Sequence, residues 1–146
     1  MMRIKRPSKR PWARIGLVVL ALQAALVGVW ALVSPSSFFR EFPGLGFAWV
    51  AALPPYNEHL VRDVGGLYLA FSALFFAAAY KMDRSLTRIV LVSWLLSALP
   101  HLAFHFDHPE ALPSGERAIQ TAVLAVFALI PLLVLLDLQR RRKSFG

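Results

Sequence analysis

One short segment of this chain groups ionisable side chains that could bind a metal, hold an anion or transfer a proton. It reads Asn-Glu-His-Leu-Val-Arg-Asp over residues 57–63. On a helix, Glu58 and Arg62 lie four residues apart on one face, and so do His59 and Asp63. We therefore predict two pairs, a carboxylate with a guanidinium and an imidazole with a carboxylate.

A second segment carries all the remaining histidines. His101 and His105 are four residues apart, and His108 follows them. Two histidines at this spacing can chelate zinc, iron or copper from one helical face, and the absence of cysteine excludes thiolate ligands. Haem is less favoured than a divalent metal, because four short helices leave little room for a macrocycle. The predicted metal ligands are His59, His101, His105 and Glu58.

Both segments lie in or beside long apolar runs. The 146 residues are 58% hydrophobic and 16% charged, which is far more apolar than a typical soluble domain. A bilayer requires roughly 17 to 25 apolar residues per helix. Four runs meet that length and predict an all-α, four-helix transmembrane bundle, one integral membrane domain over residues 1–146, with helices at about 15–33, 60–80, 89–106 and 118–136.

The distribution of lysine and arginine predicts the orientation. Thirteen of the 16 basic residues fall in the ends, 1–14 and 138–146, and in the loop 81–88. Cytoplasmic segments carry such an excess, so we expect both termini on the cytoplasmic side of the inner membrane. The first run follows basic residues, as a signal peptide does, but it exceeds a signal's usual apolar length, so we expect it to be retained. The net charge of +8 therefore reflects topology, and no nucleic-acid partner is expected.

The outer loop between the first two helices is unusually aromatic. Aromatic rings favour the interface between membrane and water, so the loop is predicted to lie there as an anchor, or else to cover the bundle as a lid. Ser36 or Ser37 is expected to cap a short helix within it. The aromatic residues are Phe38, Phe39, Phe42, Phe47, Trp49 and Tyr56.

Small residues predict where the helices touch. Gly28 would let another helix approach the first one closely. On the second helix, small residues continue the face of His59 and Asp63, so we expect this polar pair to lie on the packing face and not toward lipid. The stripe consists of Gly66, Ala70, Ala73 and Ala77.

The antiparallel order of the helices predicts where the polar residues meet. Asn57 is expected to cap the second helix. Because the second helix starts at the outer side and the third ends there, the segments 57–63 and 101–108 should converge at one depth. Gln120, near the outer end of the fourth helix, should join them.

Three functions fit a cluster made of Glu58, His59, Arg62, Asp63 and Gln120. Ionisable groups at membrane depth are costly and usually paired, so the first is a structural network in an accessory or interaction protein. The second is a metal-binding protein or enzyme. In the third, an enzyme acting on lipid or quinone, Arg62 binds an anionic head group and a histidine–carboxylate pair moves a proton. We expect the first, with membrane lipids and a membrane protein or second copy as partners.

The chain also resembles a family of small bacterial four-helix membrane proteins. The resemblance covers about residues 35–110 and rests on Phe-Pro-Gly-Leu-Gly at 42–46, on Asn-Glu-His-x-x-Arg-Asp at 57–63, and on the histidines at 101–105. More distantly, the layout is similar to that of DoxX-like proteins, which are tied to redox partners and quinone-linked respiration. The resemblance implies a four-span topology in a bacterial inner membrane, and no motif in this chain carries over the redox role.

Overall fold

The computed structural model describes residues 11–143, with side chains over 11–140, and shows an all-α protein. A short 3-10 turn, Pro109–Ala111, precedes the last helix. In chain order the elements are α1 (Pro11–Val33), α2 (Pro35–Glu41), β1 (Pro43–Gly44), β2 (Phe47–Ala48), α3 (Glu58–Lys81), α4 (Arg84–Asp107) and α5 (Ser114–Lys143).

Four of these helices are long and apolar enough to cross a membrane. They are Pro11–Val33, Glu58–Lys81, Arg84–Asp107 and Ser114–Arg140. The prediction of an all-α protein with four helices of membrane-spanning length and hydropathy is therefore confirmed. The predicted cytoplasmic ends, 1–14 and 138–146, lie largely outside the described residues.

Helices α3 and α4 extend past their apolar runs at both ends, and each begins at a side chain that caps it. The side chain of Asn57 accepts a hydrogen bond from the Leu60 amide (3.1 Å), as predicted, and this cap starts α3. Asp83 does the same for α4 through the Leu86 amide (2.8 Å). We call the side of the bundle with the α3–α4 turn the Asp83 end, and the opposite side the Asn57 end.

The main core joins all four long helices from mid-span to the Asp83 end. Its largest fully buried side chains include Phe75, Leu17, Leu20 and Leu91. A smaller core of Val27, Ala31, Phe38 and Val61 lies toward the Asn57 end and takes its buried residues from α1, α2 and α3. The four helices therefore share one core near the Asp83 end, whereas the smaller core holds α3 to α1 near the Asn57 end.

Trp94 connects three helices at mid-span. Its ring makes edge contacts with Tyr68, Phe71 and Phe75 of α3, at centroid distances of 5.6, 5.3 and 5.4 Å. Its indole Nε1 donates to the carbonyl oxygen of Phe127 in α5 (3.1 Å), so the indole dipole is satisfied away from water. This residue thus holds α3, α4 and α5 together.

Helices α1 and α3 approach each other most closely at two glycines. A methyl group at Gly28 would lie 2.9 Å from the Gly65 carbonyl oxygen, and one at Gly65 would lie 3.1 Å from the Gly28 carbonyl oxygen. Nearer the Asp83 end, the Ser72 hydroxyl donates to the Ala21 carbonyl oxygen (2.8 Å). The close approach expected at Gly28 is confirmed, and its partner is Gly65.

The small-residue stripe in line with His59 and Asp63 is not the packing face of α3, contrary to our expectation. Gly66, Ala70 and Ala73 are exposed, and no atom lies within 4 Å of a methyl group placed on Gly66. The packing face is offset by one residue because α1 can reach the backbone at Gly65. Its buried residues are Val61, Gly65, Ser72, Phe75, Ala78 and Ala79.

The aromatic loop packs against α1. Phe38 and Trp49 are buried, and the Phe38 ring lies 5.9 Å from that of Trp30. The short helix starts at Pro35, a residue favoured in a first helical turn, and not after Ser36 or Ser37 as predicted. The Ser37 hydroxyl instead accepts from the Trp30 indole (3.2 Å).

Candidate functional site

Glu58 stands in the first turn of α3, directly after the Asn57 cap. The free N–H groups of a first helical turn give it a partial positive charge, which an acidic side chain offsets. Glu58 Oε1 also accepts a hydrogen bond from Arg62 Nε (2.8 Å), as the four-residue spacing predicted. The Glu58 carboxylate is therefore stabilised by its own helix in two ways, through the positive N-terminus of α3 and through Arg62.

Arg62 joins the start of α3 to the end of α1. While its Nε binds Glu58, its Nη1 donates to the Leu32 carbonyl oxygen, 30 residues away in the chain. That carbonyl belongs to the last turn of α1, where the helix can no longer supply amide donors. A cation at this position also offsets the negative end of the α1 dipole. Arg62 thus serves as a cap for α1.

His59 and Asp63 form the second predicted pair. The Nδ1 of His59 lies 3.2 Å from Asp63 Oδ2. Their side chains are 85% and 58% exposed. The pair thus lies on an open surface and not against the other helices. Proton transfer in an enzyme is favoured where the site excludes water, and side chains this exposed are not enclosed.

The histidines of α4 face one another and their own helix. The rings of His101 and His105 are 4.9 Å apart, edge to face. His108 stacks on Phe104 at 4.0 Å, and its Nδ1 lies 2.9 Å from the Phe104 carbonyl oxygen. In the Nδ1–H form, His108 donates to that oxygen and satisfies a carbonyl near the end of α4.

The predicted metal ligands are not assembled. Among the residues whose side chains the structure describes, no three histidines or carboxylates come close enough together to hold one ion. The prediction was right that Glu58 and His59 lie at the same end of the bundle as His101 and His105. However, depth along the helix axis does not specify the direction in which each side chain projects, so the four do not converge on one point.

Gln120 lies apart from the other members of the predicted cluster. It is 4% exposed, on the buried face of α5 that continues to Ala128 and Pro131, whereas Glu58, His59, Arg62 and Asp63 are all exposed. The cluster therefore contains two kinds of residue. Four surface residues belong to the first turns of α3, and one buried amide belongs to the core face of α5.

Two arginines that the sequence analysis did not single out also bind carbonyl groups. Arg84 donates to the Leu138 carbonyl oxygen of α5. Arg117 Nη1 donates to the Pro109 carbonyl oxygen (2.7 Å) in the turn before α5. Both arginines stand in the first turn of a helix, next to a turn of the chain, and that position was the available signal.

Comparison of the chain with protein-family models, with curated proteins and with solved structures found no match. The resemblance to small bacterial four-helix proteins, and the more distant one to DoxX-like proteins, therefore stay predictions. What the fold defines is a class, the all-α proteins with four helices long and apolar enough to cross a membrane.

Proposed function

We propose that this chain is a multi-pass protein of the bacterial inner membrane that acts as an accessory or interaction subunit. Its partners are membrane lipids and either another integral membrane protein or a second copy. Four apolar helices support membrane insertion. The basic ends and the basic turn between α3 and α4 support cytoplasmic termini.

The observation that carries this proposal is the bonding of Arg62. Its guanidinium is used by Glu58 and by the Leu32 carbonyl oxygen, so both charges of this ion pair serve the junction of α1 and α3. A guanidinium whose charge is offset by a carboxylate attracts an anionic substrate less than an unpaired one. The second pair, His59 with Asp63, is too exposed to exclude water. The residues that first suggested chemistry are thus placed to stabilise the Asn57 end.

Variants of the cluster test this role on the full chain purified in detergent. Arg62→Gln should lower the unfolding free energy by about 1 kcal/mol, the usual net contribution of a hydrogen bond, because a carbonyl of α1 loses its donor. Arg40→Gln is the matched control, since Arg40 is an exposed arginine of α2. Equal stability of the two variants would contradict the structural role.

Elemental analysis with an absorption spectrum distinguishes the metal-binding alternative. We expect wild type, His59→Gln and His101→Ala to carry the same substoichiometric metal and no haem band. Near-stoichiometric metal in wild type that is lost in His101→Ala, with the fold unchanged, would replace the accessory role with a metal-dependent one.

Reporter fusions test the topology. A reporter active only in the cytoplasm should be active when fused after residue 146 or within the turn at 82–83. It should be inactive within the turn at 109–113. The reverse pattern would contradict the proposed orientation while leaving the four spans intact.

A further inference from the structure

A groove of about 510 Å³ runs between the end of α4 and the first turns of α5. Pockets that bind small molecules commonly enclose about 300–1,000 Å³. Its walls carry polar groups toward the Asn57 end, which are His105, Ser114, Arg117 and Thr121, and small apolar side chains farther along α5.

In the described part of the chain, the one charged side chain that lines the groove is that of Arg117. Arg117 donates to the neutral carbonyl oxygen of Pro109, and within residues 11–140 the structure pairs it with no carboxylate. Arg62, by contrast, is paired with Glu58. The start of α5 adds the partial positive charge of a helix N-terminus. Three carboxylates adjoin lining residues in the sequence, but none of them lines the groove; they are Asp107, Glu110 and Glu116.

The apolar part of the groove, which we call the slot, is open and lined by small side chains. Ala118, Ala122 and Ala125 recur on one face of α5, and Phe106 lines the groove from α4. Arg117 and Ala125 are separated by a helical rise of roughly 12 Å. Because α4 and α5 are both candidate membrane spans, this slot lies where acyl chains surround the protein.

We propose that this groove binds an anionic phospholipid. Its phosphate group binds the Arg117 guanidinium and the Ser114 hydroxyl, and one acyl chain lies along Ala118, Ala122 and Ala125. A guanidinium with donors to spare is suited to a phosphate, and a charged head joined to an apolar chain matches both parts of the groove. The site goes beyond the accessory role and does not depend on the Arg62 junction.

Lipid retention by the full chain tests the proposal. The purified protein is placed in vesicles of phosphatidylglycerol and phosphatidylcholine in equal parts, extracted, and examined by native mass spectrometry. Wild type should retain phosphatidylglycerol preferentially. Arg117→Gln should weaken retention about tenfold, which equals about 1.4 kcal/mol, whereas Arg40→Gln should leave it unchanged.

A second pair of variants tests the slot without changing charge. Ala122→Leu fills it and should abolish retention of phosphatidylglycerol, whereas Ala103→Leu, on an exposed position of α4 outside the groove, should not. The thermal midpoint of each variant shows whether it has folded.

Three results would overturn the proposal. They are equal retention of both lipids by wild type, equal losses in Arg117→Gln and Arg40→Gln, and full displacement of the lipid by inorganic phosphate, which would indicate a site for the anion alone. None of them would affect the structural role of Arg62, because that role is measured by stability and not by lipid.

Discussion

Two neighbouring glycines on α3 show how differently one helix can use its two sides. Gly65 faces α1 so closely that a methyl group there would touch the Gly28 carbonyl oxygen at 3.1 Å. Gly66 is exposed, and a methyl group there would meet nothing within 4 Å. The Gly65 face continues to the buried Ser72, while the Gly66 face is in line with the exposed pair of His59 and Asp63.

The comparison teaches that small size alone does not define a helix interface. On both faces of α3, glycine and alanine residues occur at helical spacing. What distinguishes them is the neighbour, since α1 presents Gly28 and Ala31 to one face only. The exposed pair of His59 and Asp63 also lies on the side of α3 that α1 does not cover.

The largest expected effect comes from adding a methyl group where α1 and α3 are in contact. Gly28→Ala would bring a methyl group to 2.9 Å from the backbone oxygen of Gly65, so the helices must separate. Overpacking of this kind costs about 1–3 kcal/mol. Unfolding of the purified chain by denaturing detergent measures the loss. Gly66→Ala is the matched control and should be neutral or slightly stabilising, and an equal loss in both variants would erase the distinction between the faces.

Replacing Gln23 should have the next largest effect, and it should raise the unfolding free energy instead of lowering it. Its Oε1 is buried in α1 without a hydrogen-bond partner among the residues whose side chains are described. A buried acceptor without a donor costs about 1–3 kcal/mol, and leucine has a similar volume. Gln23→Leu should therefore raise the unfolding free energy in the same assay. A loss of stability would show that the amide has a partner in the membrane.

Ser72→Ala should have a smaller effect on the packed face. It removes the hydroxyl that donates to the Ala21 carbonyl oxygen and leaves the helix contact otherwise unchanged. Hydrogen bonds between transmembrane helices contribute about 0.6 kcal/mol on average. Ala73→Ser, on the exposed face, is a control that places a hydroxyl where α1 cannot use it. If Ser72→Ala leaves the stability unchanged, the contact between α1 and α3 depends on the glycines alone.

The exposed pair should have the smallest effect. His59→Gln removes one partner of an exposed histidine–carboxylate pair, and even fully charged exposed pairs contribute only about 0–1 kcal/mol. We expect a loss of unfolding free energy near the lower end of this range. It is measured by the same unfolding curve at low and high salt. A large loss, insensitive to salt, would mean that another molecule covers this face in the native membrane.

Much of the fold was predictable because it depends on length, hydropathy and local spacing. The four spans follow from four apolar runs, and the Asn57 cap and both four-residue pairs of α3 follow from helical periodicity. The start of α2 was placed wrongly, because the preference for Pro35 at a helix start outweighed the serines after it.

The candidate site was predictable only in part. Sequence spacing correctly paired Glu58 with Arg62, since partners on one helix are set by its period. It could not foresee that Arg62 reaches the Leu32 carbonyl oxygen, or that Gln120 lies in the core while His59 lies outside it. Such contacts join residues that are distant in the chain.

The sequence by itself therefore determined the all-α class, the number of helices long and apolar enough to cross a membrane, and the pairs formed within one helix, because these depend on neighbours along the chain. Only the tertiary structure decided which side of α3 is covered, why the histidines and carboxylates do not meet, and where a charged groove opens. Those outcomes depend on the rotation of each helix about its axis. That rotation is set by a few close contacts such as Gly28 with Gly65, and many sequences of the same hydropathy would allow another.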